Sequence, residues 1–315
     1  MFGFLLRKLP AVILVAFVSS IIAFTLPRLA PGDPAITVAG SDATQEQLEA
    51  VREELGLNQP MPVQYIHWLT GALQSDFGQS YVMRRPVSTV IADRLESTLE
   101  LAGLATIIMI VVGLGLGVLA GTERTPWGRA VLDVATTILL ATPPFLTGLI
   151  LILIFGIAFQ LLPVSGEVNL SKDPVMGFKF LILPAIALAL PQSAMIARLL
   201  QTTMNSTRGE DFVDLAKAKG VPRGRIVRKH VLRNSLGPAI VAIGLRIGDL
   251  LAGAIIIEAI FARNGLGALA IYAVQSRDYY VLQALILGAV IVAVLIQLLS
   301  EILIAALDPR IRLEG

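Results

Sequence analysis

The chain has 315 residues, of which 55% are hydrophobic and 15% charged, and its mean hydropathy is +0.77. Soluble globular domains are about one quarter charged, so these charges are too few to cover a soluble protein of this length. The absence of cysteine excludes disulfides, thiolate metal sites and cysteine nucleophiles. The apolar residues cluster in blocks of roughly 20, enough to cross a ~30 Å hydrocarbon core as a helix. The pattern predicts an all-α, multi-pass membrane protein with six transmembrane helices, at 9–29, 98–121, 131–160, 179–201, 238–260 and 282–306.

The first helix, within 1–30, follows a basic start at Arg7 and Lys8. Its apolar run is longer than that of a cleavable signal, and Pro27, Pro31 and Pro34 crowd the place where cleavage would fall. A retained signal-anchor helix is expected. Residues 31–97 form a polar, largely helical external segment, with more acidic than basic residues. TQEQLEAVREELGL reads as an amphipathic helix with Thr44 and Gln47 spaced as a capping box. MPVQYIHWLTGALQSDFG reads as a second helix, and Arg85-Pro86 as the start of a third. The remainder, 98–315, is expected to be a five-helix core.

Lys and Arg collect in cytoplasmic loops. An N-in, C-in topology places Arg7, Lys8, Arg124, Arg129, Arg310 and Arg312 there, together with a basic island between the fourth and fifth spans. Within the core, Gly113, Gly117 and Gly121 recur every four residues, as do Gly244, Gly248 and Ala252. Such rows let helix backbones approach in lipid, where no hydrophobic force drives association. Proline breaks the third segment at Pro143 and Pro144 and flanks the fourth at Pro184 and Pro191. ATPPF either bends a helix for packing or lines a pathway, because freed carbonyls are tolerated where protein or a wet cavity satisfies them.

Ionisable groups at membrane depth usually face a partner or a cavity. Arg246 and Asp249 share a helix face and are close enough to pair. Glu258 points elsewhere, shows no evident partner, and is the better candidate for a translocation path. Asp133 and Glu301 fall near predicted membrane boundaries. No catalytic or metal site is expected: the only two histidines, His67 and His230, fall on opposite sides of the membrane. There is also no GxxxxGK[ST] phosphate loop, so nucleotide-driven work would need another chain.

The island, at about 202–237, holds eight of the 25 Lys and Arg residues. It divides at Gly220-Val221-Pro222 into two expected short amphipathic helices, the first with Phe212, Leu215 and Ala216 on one side. Anionic lipid and a protein groove are both possible partners. The stretch resembles the EAA loop of ABC importer permeases. Asp214, Leu215 and Ala216 stand for the triplet, then Lys217, Ala218 and Lys219 precede Gly220, Val221 and Pro222. KHVLRNSLGP is similar to the H-x-x-x-N variant of dipeptide and oligopeptide permeases, through His230, Arg233, Asn234 and Pro238. APGDPA, LGLNQPMPVQY, DFGQSYVMRRPV, LLPVSG, LLAGAIIIEAIF and ALDPRIRL resemble the B-type subunit in order along nearly the whole chain.

The chain departs from that family pattern at Arg263-Asn264, in place of Trp-Pro, and at Arg277-Asp278-Tyr279-Tyr280, in place of Arg-Asp-Tyr-Pro. Both fall on the face where a binding protein would dock. The resemblance implies a type I importer permease fold in the plasma (inner) membrane, forming half of a channel for di- or oligopeptides. It implies a second homologous permease, two cytoplasmic ATPases carrying ATP and Mg, and an extracytoplasmic binding protein as partners. The lipid bilayer and peptide cargo complete the expected contacts, with no nucleic acid and no cofactor in this chain. The alternatives are a secondary transporter driven by an ion gradient and a membrane-anchored assembly subunit.

Overall fold

A computed structural model describes residues 2–29, 33–40, 42–123 and 125–307. Arg124, Arg310 and Arg312, the side chains of Arg7 and Glu301, and parts of APGDPA and ALDPRIRL lie outside them. Among the described residues no β-strand forms, and the one isolated bridge joins Gln79 to Pro86. The helices are α1 (Phe2–Leu29), α2 (Pro34–Ala39), α3 (Gln45–Glu54), α4 (Met61–Leu73), α5 (Val87–Thr122), α6 (Pro126–Ala141) and α7 (Pro144–Leu151). They continue with α8 (Pro174–Arg208), α9 (Asp211–Ala218), α10 (Arg223–Arg225), α11 (Arg233–Ile260), α12 (Leu266–Gln275) and α13 (Tyr279–Leu307). Ile152–Ala158 and Ile226–Leu232 are π-helical extensions of α7 and α10. The chain divides into two units: Met1–Ser97 with Asn264–Leu295, and Thr98–Arg263 with Ile296–Gly315.

In the first unit, Thr44 caps α3 through a complete capping box with Gln47, as the spacing predicts. Asp33 caps α2 and also accepts from Arg52 at 2.5 Å, joining the start of α2 to the last turn of α3. Phe24 of α1 lies edge-on to Tyr65 and tilted against Trp68 of α4, so α1 and α4 share an aromatic seam. The turn after α4 is tied down by Asp278, which is buried and accepts from Ser80 Oγ. Asp278 is therefore a structural anchor of this turn and has no surface to offer a docking partner. No helix boundary separates α5 from an external third helix: Val87–Thr122 is one helix of 36 residues, starting just after Pro86.

The second unit is built on α8, most of whose inner positions are buried from Gly177 to Met204. Pro184 and Pro191, expected to flank this span, lie inside it. The Gly113, Gly117 and Gly121 row packs as predicted. A Cβ on Gly117 would lie 2.9 Å from that of Leu200, and one on Gly121 would lie 2.7 Å from Met204 Sδ. The glycine row of α5 thus lets the Ile196, Leu200 and Met204 side chains of α8 seat directly against its backbone. The second row behaves differently. Gly244 meets Ser300, but nothing lies within 4 Å of a Cβ at Gly248, and Ala252 is exposed.

The third apolar segment is not one straight span. Thr142 ends α6, Pro143 and Pro144 open α7, and the two halves bend by 103°. A proline is at ease in the first turn of a helix, where its missing N–H leaves no gap. The bend brings Gly148 beneath the ring of Phe261, where a Cβ would stand 3.1 Å from the ring. Among the described residues, five helices are long and apolar enough to cross a membrane, or six if this bent pair is one span.

Candidate functional site: the island turn and the buried charge cluster

The island folds as one short helix and one long one, where two short helices were expected. Helix α9 ends at Ala218, and the chain reverses through Gly220 at φ +72°. Gly220 N donates to Lys217 O and Val221 N to Ala216 O, the paired bonds of a glycine-centred helix stop. Any side chain is strained at this φ, although space around Gly220 is open. Pro222 then starts a helix that runs without a break from Arg223 to Ile260. Its first turns are π-helical, and Asn234 Nδ2 donates to His230 O at 2.7 Å across them. No breaker follows Pro222 until Pro238, so the second half of the island joins the span.

The apolar residues of α9 fall on two faces. Val213 and Ala216 are buried in a cluster with Leu200, Met204, Ile226 and Val231. Phe212 and Leu215 point outward, 40% and 56% exposed. Ala216 therefore belongs to the anchoring face and not, as expected, with Phe212 and Leu215. Asp214 and Lys217 pair at 2.7 Å on the exposed side. Lys219, Ala218, Pro222 and Arg233 are exposed, and His230 is half-buried. The result is a short helix fixed from behind, with an apolar pair flanked by charge on its free face.

Arg246 and Asp249 form an ion pair at 2.7 Å and stay partly exposed. Pro143 is exposed and Pro144 half-buried at the elbow. Glu258 differs from the expectation. It is fully buried, and its Oε1 accepts from Thr98 Oγ1 at 2.6 Å. It therefore has a partner and shows no exposed surface.

Beyond Glu258, α11 turns into a buried cationic site that sequence reasoning placed on a docking face. Arg263 is 1% exposed. Its Nη2 lies 3.6 Å from Glu100 Oε2 and 3.7 Å from Glu167 Oε2. Burial lowers the pKa of its guanidinium, and Glu167, Glu100 and Glu258 oppose that shift. Glu100 also accepts from Leu170 N at 2.7 Å, and Gly166 N donates to Phe261 O at 2.8 Å. The loop between α7 and α8 is thus stapled to the end of α11 and to α5. One signal for this cluster was present in the sequence: Glu100 is a carboxylate inside a predicted span.

Residues 113–313 match the binding-protein-dependent transport system inner membrane component family. Residues 1–102 match the N-terminal membrane component of the same transport systems. The chain belongs to this family. The permease is 36% identical over 309 residues to a probable peptide ABC transporter permease protein, y4tP, of Sinorhizobium fredii, covering 98% of this chain and 99% of the relative. It is 34% identical over 312 residues to the glutathione transport system permease protein GsiC of Escherichia coli K12, covering 99% of each.

The fold resembles the solved MetNI methionine ABC transporter in its inward-facing conformation. The TM-score is 0.56 at 18% identity, over 70% of this chain and 97% of that one. The permease is thus a multi-pass subunit of an ABC importer, and the gradient-driven alternative finds no support. The similarity to the two permeases runs through both units and includes the island.

Proposed function

We propose that the permease imports short peptides across the inner membrane, as one half of a channel completed by a second homologous subunit. Two ATPases bearing ATP and Mg would bind at the island, and an extracytoplasmic binding protein would deliver cargo. The observation that carries this reading is the free face of α9. Phe212 and Leu215 are exposed while Val213 and Ala216 anchor the helix from behind. An apolar pair on a short amphipathic helix is what helix-in-groove docking reads out. Asp214 and Lys217 at the rim would set register more than affinity.

The stiff connection from Pro222 into α11 supports coupling. A helix of 38 residues spans about 57 Å at 1.5 Å per residue, so movement of the island would be carried along the span. ATP would drive transport by binding one of two arrangements more tightly. The peptide cargo follows the names of y4tP and GsiC, glutathione being itself a tripeptide. The inner membrane follows the description of the matched family, and the basic residues of the island favour the cytoplasm.

The test is Leu215→Glu in the assembled transporter. The variant permease is expected to reach the membrane and to lose co-purification with its ATPases by about tenfold or more, equivalent to about 1.4 kcal/mol. Undiminished co-purification would remove α9 as the docking helix.

A further inference from the structure

The first unit carries a feature that the coupling mechanism does not use. Two cavities of about 300 Å³ and 760 Å³ open beside the C-terminal end of α3, and both are lined by Glu54, Leu55 and Tyr280. They form one trough around these residues, of the size that small-molecule sites occupy.

Its walls are held by specific contacts. Gly56, at φ +66°, turns the chain away after α3. Gly78, at φ +76°, sits so close to Tyr280 that a Cβ would lie 3.3 Å from the ring. Tyr280 lies edge-on to Tyr81 at 5.0 Å, and Tyr81 is itself buried. Ser80, on the wall of the larger cavity, is bonded to buried Asp278.

Both signs of charge line this trough, with Asp76 and His67 also on the wall of the smaller cavity. Arg28 lines the smaller cavity and Arg84 the larger, while Glu54 lines both. Arg28 is held in place: its guanidinium lies 3.7 Å from the Phe24 ring centroid, and it donates to Phe24 O and Gln64 Oε1. These bonds use two of the five guanidinium N–H groups. Gln59 and Gln64 line the smaller cavity, and Gln47 and Gln79 the larger. A carboxamide offers both a donor and an acceptor, which matches the two faces of a peptide bond. Trp68 completes an apolar wall in the smaller cavity.

We propose that this trough is a binding site for a short peptide with free termini, its carboxylate held at Arg28 and its ammonium at Glu54. The four carboxamides meet the backbone, the aromatic rings accept side chains of varied size, and selectivity falls on the termini. Charge-assisted bonds at both ends supply that preference. The proposal rests on the peptide-cargo reading and adds a site on the permease itself, separate from any binding protein.

The experiment uses the full-length permease in detergent with Trp127→Phe, which leaves Trp68 as the only tryptophan of the chain's two. Trialanine is titrated while Trp68 fluorescence is followed. A saturable change is expected, with N-acetyl-trialanine amide giving none because it lacks both charges. Arg28→Gln should remove the response, and Glu54→Lys should weaken it by about tenfold. Glu54 is exposed, so Glu54→Lys remains informative if Arg28→Gln fails to fold. No saturable change, equal binding of the capped peptide, or unaltered binding to Glu54→Lys would overturn the site. Uptake of labelled trialanine by the assembled transporter separates the two readings. Uptake without trough binding overturns the trough alone, and binding without uptake overturns the peptide cargo.

Discussion

The two ends of the continuous Arg223–Ile260 helix handle charge in opposite ways. At its beginning, Arg223, Arg225, Arg228, Lys229 and Arg233 are exposed, and the neighbouring Asp214–Lys217 pair is too. At its far end, Arg263 is buried with Glu100, Glu167 and Glu258 around it. Exposed ion pairs contribute only about 0–1 kcal/mol. Removing one member of a buried set leaves an uncompensated charge and costs about 3–5 kcal/mol. The exposed end is therefore free to carry specificity for a partner, and the buried end holds the second unit together.

The most severe way to break this contrast is Arg263→Leu. It leaves the three carboxylates facing one another, and a stability loss of about 3–5 kcal/mol is expected. Detergent-denaturation titration of the purified permease would read it. Arg263→Lys should recover only part of that loss, because an ammonium lacks the planar fork that reaches two carboxylates. Full stability of Arg263→Leu would show that the cluster is not structural.

Packing provides an intermediate case. Gly117→Val drives a side chain into Leu200, and overpacking costs about 1–3 kcal/mol. Gly115→Val, where nothing lies within 4 Å of a Cβ, is the matched control and should change thermal stability far less. Equal effects at the two positions would mean that α5 and α8 do not meet through the glycine row.

The smallest effect is expected at the Arg246–Asp249 pair. Its side chains are 31% and 49% exposed, so Asp249→Ala should cost less stability than Arg263→Leu, whose side chain is fully enclosed. The charge swap Arg246→Asp with Asp249→Arg sharpens the comparison. Wild-type uptake in the swap identifies a neutralised pair, whereas lost uptake with intact stability identifies contact with cargo or a second subunit.

Features fixed by neighbours in sequence were legible before the fold was seen. The capping box at Thr44, the glycine row from Gly113 and the break at Pro143-Pro144 each follow from spacing or backbone chemistry. The general shape of the turn at Gly220 was legible too, because Gly220 and Pro222 act locally. Which face of α9 is anchored was not, since Leu215 and Ala216 are both compatible with burial until Leu200 and Met204 pack beneath the helix. The Arg263 cluster was missed for a related reason. Glu100, Glu167 and Glu258 are separated by long stretches of chain, and no local pattern joins them. Glu258 looked solitary because its partner, Thr98, is an ordinary residue at the edge of a distant span.

The central claim is that the Gly220 end of the Arg223–Ile260 helix serves coupling, and serves stability very little. Gly220→Val in the assembled transporter tests it most directly, with ATP hydrolysis and peptide uptake measured on the same preparation. A β-branched residue at φ +72° costs about 1–3 kcal/mol locally, and no neighbour is displaced by it. Intact membrane assembly with continued ATP hydrolysis and uptake reduced by about tenfold or more is predicted. Normal uptake per ATP consumed would contradict the account.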